Sequence, residues 1–377
     1  MGYAALTMAR PAPLWLARPT RFAGVHRTAG RALLLLLALI VAVALTAVDA
    51  PDTPRPPVPA EGAQAQSDVL LYQRIVAGVR TGENYYTIAA DAQRAGGYPL
   101  RPFMTMRLPT LALVQAALPD FATLALLYGL AALVALAWYR QMRRAFSTVF
   151  PRILALLLLG CGVMVCLRPD LVTFHEIWAG LLIALSLGWW RPGRWVEPVA
   201  IGLCAMLIRE TAVVYALVML GCAVLSRQRR EAMGWAFALV VFAAMVALHA
   251  RAWGMVVMAS DAASPGWNAL LGPGFFAKTV AQETALAALP LVLAAPLALL
   301  GLAGWAVWRD PLAVRTGLVL GGYGVLIALF CRADTPYWGL MAAPLSLIGL
   351  IFVPDGLRDI AWAANNSRRI IVTKRVE

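Results

Sequence analysis

About ten long apolar runs occupy this chain, and each is close to the length that crosses a bilayer as a helix. Spanning the hydrocarbon core takes roughly 20 predominantly apolar residues. The clearest run, residues 33–48, contains no charged side chain. An open sheet would leave backbone groups without partners in lipid, and the alternating pattern of barrel strands is absent. The runs therefore predict an all-α fold, a polytopic transmembrane helical bundle of about ten spans.

The composition favours a membrane protein over a soluble one. Hydrophobic residues make up 61% of the chain and charged residues 14%, whereas soluble domains have roughly 45–50% and about 25%. The five cysteines lie in or beside apolar runs without a CxxC pair, so neither a zinc site nor a disulfide framework is indicated. After the first run, the predicted spans lie at about residues 121–138, 149–167, 174–190, 196–208, 211–225, 235–250, 286–308, 317–330 and 337–353.

The formal net charge of +13 is distributed in a way that indicates topology. If the chain starts in the cytoplasm, every inner connection carries arginine, which is the positive-inside pattern. The arginines form no dense basic domain, which argues against a nucleic-acid partner. We therefore expect a multi-pass protein of the plasma membrane, surrounded by membrane lipids, with both termini in the cytoplasm.

The predicted organisation has three parts. Residues 1–31 form a basic cytoplasmic N-terminus, residues 32–353 a transmembrane domain, and residues 354–377 a cytoplasmic C-terminal tail. A cleavable signal peptide is the alternative reading of the first apolar run, but the length of that run favours a retained helix. Either way, the segment that follows the first run lies outside the cytoplasm.

The first outer loop, residues 49–120, is the most informative segment because it is only moderately apolar. A proline-rich linker at 50–59 precedes two segments of helical character, 67–79 and 84–94, which are predicted to lie on the outer membrane surface. In the first helix Asp68 and Tyr72 are one turn apart, and a second helix starting near Glu83 would put Glu83 and Tyr86 on one face. Acids and arginines at an apolar interface are costly unless they are paired or used. The loop therefore predicts a functional site.

Several short motifs resemble those of a known family, the glycosyltransferase C superfamily. The likeness is to the bacterial aminoarabinose and mannose transferases that use polyprenyl-phosphate sugars, and it extends to the membrane layout of the whole chain. The family's acidic pair is reduced to one residue, and its basic-proline stretch has arginine in place of lysine and a single proline. The motifs that carry the resemblance are Gly82-Glu83, Tyr86, Ile88-Ala89, Gly96-Gly97-Tyr98, Arg107-Leu108-Pro109 and the run from Leu207 to Thr211.

The resemblance implies an inverting membrane glycosyltransferase of the bacterial inner membrane. Such an enzyme moves a sugar from a polyprenyl-phosphate donor to a glycan, lipid or protein acceptor on the periplasmic side. Glu83 is the expected general base, Asp68 is its rival, and Asp49 and Asp52 are weaker rivals. The family has metal-dependent and metal-independent members, so a divalent cation stays open as a cofactor, although the sequence has no convincing metal cluster. His175 and Glu176 are interpreted as a structural polar pair.

The remaining candidates follow from the chemistry of this reaction. A departing lipid phosphate needs cations that stay charged near lipid, and a sugar needs stacking surfaces and hydroxyl partners. The predicted phosphate-binding residues are Arg101, Arg107, Arg209 and Arg332. The predicted substrate-binding residues are Tyr72, Tyr85, Tyr86, Tyr98, Glu210 and Tyr337, with Trp338 as a further stacking surface.

Each of these residues also has a structural interpretation. Glu83 could complement the N-terminal dipole of a surface helix, the arginines could contact lipid headgroups, and the tyrosines could belong to an interfacial aromatic belt. Two other functions stay open at this point. A transporter or lipid flippase would need ionisable residues near the bilayer midplane, and a scaffold would use the outer loop to bind a partner.

Overall fold

A computed structural model describes residues 12–52 and 67–365 of the chain. Within these ranges the secondary structure is helical and contains no β-strand, which confirms the predicted all-α class. The α-helices are α1 Arg27–Leu45, α2 Ser67–Arg80, α3 Tyr85–Ala95, α4 Thr110–Ala117, α5 Asp120–Ala145, α6 Val149–Val163, α7 His175–Trp189, α8 Val196–Ile208, α9 Val213–Leu225, α10 Arg229–Gly254, α11 Gly272–Gln282, α12 Leu291–Gly304, α13 Pro311–Phe330, α14 Ala343–Ser346 and α15 Val353–Asn365.

Four of the described helices are long and apolar enough to cross a bilayer, namely α1, α5, α10 and α13. Four apolar segments are shorter: α6, α8, α12 and the stretch Glu210–Leu225 that contains α9. A helix of 13 residues, such as α8, is only about 20 Å long, whereas the hydrocarbon core is about 30 Å thick. The helices fit a membrane protein, and the count of about ten spans stays a prediction.

The predicted span at 337–353 is wrong, because this segment is not a continuous helix. It consists of the 3₁₀ turn Pro336–Met341, the short α14 and the 3₁₀ turn Ile348–Phe352, and nearly all of it is buried. Irregular backbone is tolerated at membrane depth only where protein surrounds it. Glycines of the neighbouring helices allow that close approach, since a Cβ on Gly180 of α7 would lie 2.5 Å from the Leu340 carbonyl oxygen.

The N-terminal segment is docked against α15 at one end of the bundle. The Asp355 carboxylate accepts hydrogen bonds from the backbone N–H groups of Leu14, Trp15 and Leu16 at 2.6, 3.0 and 3.0 Å. Helix α15 also packs along α1. The described part of the predicted C-terminal tail, residues 354–365, is therefore packed on the bundle as a helix. Residues 1–11 and 366–377 lie outside the described part.

The two helices predicted at 67–79 and 84–94 are confirmed as α2 and α3, each within a residue of its predicted bounds. Their position on the outer membrane surface stays a prediction. Together with α4 they enclose a small apolar core of their own, against which Trp253 of α10 packs. The side chain of Asn84 caps α3 by accepting hydrogen bonds from the N–H groups of Tyr86 and Thr87. Most of the predicted proline-rich linker, residues 53–59, lies outside the described ranges.

Candidate functional site

A cavity of about 750 Å³ lies at the end of the bundle where α10 and α13 end and α9 begins. Its walls come from α2, the segment after α3, the break between α8 and α9, and the segment after α13. These parts are far apart in sequence, so the fold alone brings them together. The predicted site residues that line it are Asp68, Tyr72, Tyr98, Arg107, Arg209, Glu210, Arg332 and Tyr337.

Asp68, the rival candidate for the general base, lines this cavity. It lies in the first turn of α2, and the Tyr98 hydroxyl donates a hydrogen bond of 2.5 Å to its Oδ1. Burial raises the pKa of the Asp68 carboxyl above its ordinary value, and this effect exceeds the lowering caused by the Tyr98 hydrogen bond. A carboxylate with a raised pKa is a better proton acceptor near neutral pH than an exposed aspartate.

A buried carboxylate behind the cavity holds two of the predicted arginines. Arg209 donates from Nε to Glu176 Oε1 at 2.6 Å, and Arg107 Nη2 lies 3.7 Å from the same oxygen. Arg209 also donates from Nη1 to Glu210 Oε2 at 3.0 Å. The other oxygen of Glu210 accepts the backbone N–H of Leu108 at 3.0 Å. The break between α8 and α9 is thereby tied to the segment that carries Arg107.

Arg107 has a hydrogen-bond donor to spare in this arrangement. Its side chain is mostly buried, and its Nε has no partner among the described residues. Leaving such a buried group unpaired costs free energy. The Arg209 guanidinium lies 5.6 Å from the ring centroid of Trp338, which also lines the cavity. At the far edge, Arg332 pairs with Asp334.

Aromatic rings form one side of the cavity. Tyr72 and Tyr337 line it, and both contact the ring of Phe174 edge-on, with centroid distances of 6.1 and 5.6 Å. Tyr72 also lies 4.8 Å from the His175 ring. Rings held in this way offer fixed faces to a ligand at little cost in side-chain entropy.

The opposite side of the cavity is apolar and reaches down between the long helices. Phe242 and Val246 come from α10, Val214 from α9, and Leu326 and Phe330 from α13. Helix α9 packs against both α10 and α13, so it forms the floor of this part. The cavity therefore has a polar end at the surface loops and an apolar end within the bundle.

The structure does not bring Glu83 to the cavity. Because Asn84 caps α3, Glu83 precedes the helix and its side chain is exposed. The expected pairing of Glu83 and Tyr86 on one helix face is wrong for this reason. The rival acids Asp49 and Asp52 are also exposed and do not line the cavity, and Asp52 pairs with Lys278 at 2.7 Å.

Two other predicted residues, Tyr85 and Tyr86, support the cavity without lining it. The Tyr85 hydroxyl donates to the carbonyl oxygen of Arg107 at 2.7 Å. Tyr86 bonds to His249 Nδ1 at 3.2 Å, and His249 Nε2 bonds to the Met106 carbonyl at 3.1 Å. Because a carbonyl only accepts, Nε2 carries a proton, and in the neutral tautomer the Tyr86 hydroxyl donates to Nδ1.

Arg101 likewise acts on the backbone of a neighbouring loop. Its Nε donates to the carbonyl oxygen of Asp261 at 2.8 Å, and the side chain is exposed. Arg94 holds the same loop with two bonds to the Asp261 carboxylate, of 2.8 and 2.9 Å. This loop, residues 255–271, brings Ser264 and Trp267 to the cavity.

Sequence reasoning missed some residues of the site. Glu176 was expected to pair with its neighbour His175, but it binds Arg209 instead, and neither ring nitrogen of His175 has a partner in the described part of the chain. Gln93, Ser264 and Trp267 line the cavity but stand in no motif. The one signal for Trp267 is its place in a proline- and glycine-containing stretch between two apolar helices.

In the described ranges, no group of three or more His, Cys, Asp or Glu side chains is placed to hold a metal ion. Comparisons of the chain with protein-family models, with curated proteins and with solved structures found no match. The geometry of the cavity therefore carries the functional argument.

Proposed function

We propose that this chain is an inverting membrane glycosyltransferase of the glycosyltransferase C type, which uses a polyprenyl-phosphate sugar as donor. The observation that carries the proposal is the two-ended cavity. It combines a partly buried carboxylate, Asp68, with the guanidinium groups of Arg107 and Arg209 and with an apolar wall from α9, α10 and α13. A lipid-linked sugar phosphate has the same three parts: a sugar, an anionic phosphate and a hydrocarbon chain.

In the proposed reaction Asp68 takes over the role expected for Glu83. The acceptor hydroxyl loses its proton to Asp68, its oxygen forms a bond to the anomeric carbon, and the bond from that carbon to the phosphate oxygen breaks. One displacement of this kind inverts the anomeric centre. The pair of electrons leaves with the lipid phosphate, whose charge Arg107 and Arg209 stabilise. Arg107 suits this role because it lines the cavity and a guanidinium stays charged near lipid.

The other walls of the cavity fit the rest of the donor and its place in the cell. Tyr72, Tyr337 and Trp338 give the sugar stacking surfaces, and the apolar wall receives the first part of the polyprenyl chain. The polar end of the cavity is formed largely by the first outer loop, which the arginine pattern predicts to be extracytoplasmic. We therefore propose that transfer occurs on the periplasmic side of a bacterial inner membrane.

The test compares two matched variants, Asp68→Asn and Glu83→Gln, in full-length protein purified into lipid nanodiscs. The assay follows release of the lipid phosphate from synthetic polyprenyl-phosphate pentoses and hexoses with extracts as acceptor. Asp68→Asn should lower the rate about 10²-fold or more, since that is the contribution of a positioned general base, whereas Glu83→Gln should leave it unchanged. Donor binding should survive in both variants. Full transfer by Asp68→Asn would remove Asp68 from the mechanism.

The pH dependence gives a second test of the base. Because burial raises the pKa of Asp68, the rate should fall as the pH drops through that raised pKa, at a higher pH than for an ordinary aspartate. Movement of labelled donor across vesicle membranes, without cleavage of its sugar–phosphate bond, would instead support a flippase and contradict the proposal.

A further inference from the structure

A second cavity, of about 280 Å³, lies at the opposite end of the bundle from the first. Helix α13 runs from one cavity to the other. Asp310, directly before its first residue, lines the second cavity, and Phe330, its last residue, lines the first cavity. With 20 residues, α13 separates the two cavities by about 30 Å. The residues that line the second cavity are Leu16, Arg18, Pro19, Arg144, Ala145, Trp308, Arg309 and Asp310.

The backbone around this second cavity is fixed by hydrogen bonds between distant segments. The N–H of Ala17 donates to the carbonyl oxygen of Ala145 at 2.9 Å, and the N–H of Arg21 donates to that of Val307 at 2.9 Å. The Arg21 guanidinium also donates to the Trp308 carbonyl oxygen at 3.2 Å. The N-terminal segment is thus fastened to the end of α5 and to the α12–α13 connection. These hydrogen bonds hold the walls of the cavity together.

The second cavity has more positive than negative charge, which favours binding of an anion. Asp310 uses both carboxylate oxygens, accepting from the N–H of Leu312 at 2.9 Å and from Arg144 at 3.1 Å. Arg18 and Arg309 have no carboxylate partner among the described residues. Two arginines therefore face the cavity with free donors, and a guanidinium fork matches the oxygens of a phosphate group.

An exposed apolar surface adjoins the cavity. Leu14 is exposed two residues before Leu16, and Trp15 contacts the exposed ring of Phe150 at the start of α6. Ile153 and Leu157 continue this surface along α6, since both are exposed and are spaced as one helix face. A water-soluble phosphate compound would make no use of such a surface, whereas the acyl chains of a lipid would cover it.

We propose that the second cavity binds the phosphate-bearing headgroup of an anionic phospholipid, with Arg18 and Arg309 on the phosphate and the acyl chains along α6. The volume supports a headgroup, because it is just below the roughly 300–1,000 Å³ of sites that enclose a whole small ligand. Basic pockets between membrane helices are known sites for anionic lipid headgroups. This site is separate from the proposed transferase cavity and does not depend on its function.

The test measures phospholipid binding to the delipidated, full-length protein by native mass spectrometry and by titration in detergent. The probes are phosphatidylglycerol, phosphatidylcholine and inorganic phosphate. The variant Arg18→Gln/Arg309→Gln is compared with the control Arg143→Gln/Arg230→Gln, which removes the same charge from exposed positions that do not line the cavity. Thermal unfolding of each variant verifies that it is folded.

We expect the parent and the control to bind phosphatidylglycerol and to prefer it over phosphatidylcholine. The cavity variant should bind it roughly 100-fold more weakly, because each arginine contributes a charge-assisted hydrogen bond of about 1.5 kcal/mol to the phosphate. Equal losses in both double variants would mean that only overall charge attracts the lipid, and no loss in either would mean that the cavity is not the site. Displacement of the lipid by inorganic phosphate alone would assign the cavity to a free phosphate compound. Each of these three results would overturn the proposal.

Discussion

Two ion pairs of this protein have the same length, 2.6 Å, but opposite environments. In the pair of Glu176 with Arg209 the side chains are 1% and 4% exposed, whereas in the pair of Asp170 with Arg168 they are 54% and 60% exposed. Replacing one partner of a buried pair costs about 3–5 kcal/mol, because the other charge stays buried. An exposed pair contributes about 0–1 kcal/mol. Equal geometry should therefore give very unequal effects on stability.

The substitutions Glu176→Gln and Asp170→Asn test this reasoning, since each replaces one carboxylate by an amide of nearly the same shape. Arg209 would keep its contact with Glu210 at 3.0 Å, so we expect the lower end of the buried range, a loss of about 3 kcal/mol for Glu176→Gln. For Asp170→Asn we expect a loss of about 1 kcal/mol or less.

The free energies of unfolding would be measured by denaturant titration of both variants and the parent in one detergent. The comparison within one detergent removes its effect on the absolute values. A loss for Asp170→Asn as large as that for Glu176→Gln would refute the argument from burial. So would a Glu176→Gln variant as stable as the parent, because the Arg209 guanidinium would then need no buried partner. In the proposed enzyme Glu176→Gln should also weaken donor binding, since it frees Arg209 to move.

Three further outcomes are expected. Gly180→Ala should lower the free energy of unfolding by about 1–3 kcal/mol, because its Cβ would lie 2.5 Å from a backbone carbonyl oxygen. Tyr98→Phe removes a hydrogen bond that lowers the pKa of Asp68, so the acidic limb of the transfer rate should move to higher pH. The hydrogen bond from Arg94 lowers the pKa of Asp261 to about 2. That stabilisation is complete above the unfolded pKa of about 3.9 and is lost as pH falls towards 2, so protease cleavage in the 255–271 loop should increase over that range.

Each of these three outcomes has its own control. Gly129→Ala should not destabilise, because a Cβ at that position of α5 would meet nothing within 4 Å. Tyr86→Phe removes a tyrosine hydroxyl that bonds to His249 and should leave the acidic limb in place. In Asp261→Asn the loop should be cleaved readily at neutral pH, with no further change on acidification. The opposite result in any of these controls would mean that the assigned contact does not cause the observed effect.

The fold class and several helices could be predicted because their signals are local. The apolar run 196–208 coincides with α8, and α3 begins directly after its capping residue Asn84. The segment 337–353 carries an apolar run of the same kind, yet it is irregular in the structure. Its conformation depends on glycines in other helices, which let its backbone pack closely against them. The sequence of the segment alone contains no information about those contacts.

The assignment of the carboxylate depended on a similar long-range fact. The resemblance to the glycosyltransferase C superfamily made Glu83 the first candidate, and a helix starting there would have placed it on one face with Tyr86. The distinction between Glu83 and Asp68 comes from the Tyr98 hydroxyl, thirty positions along the chain from Asp68, and from the cap that Asn84 provides. Neither this hydrogen bond nor the capping of α3 by Asn84 follows from sequence periodicity.

The predicted residues that miss the cavity explain how it is held in shape. Tyr85 fixes the carbonyl oxygen of Arg107, His249 fixes that of Met106 with help from Tyr86, and Arg101 fixes the loop that carries Trp267. These side chains all bind backbone groups beside residues that line the cavity. Residue chemistry therefore pointed to a segment that lines and supports the cavity, but the direction of each side chain decides whether it lines the cavity or supports the backbone. A cavity that is partly walled by loops needs such support, because loops lack the regular packing that the bundle gives to α9, α10 and α13.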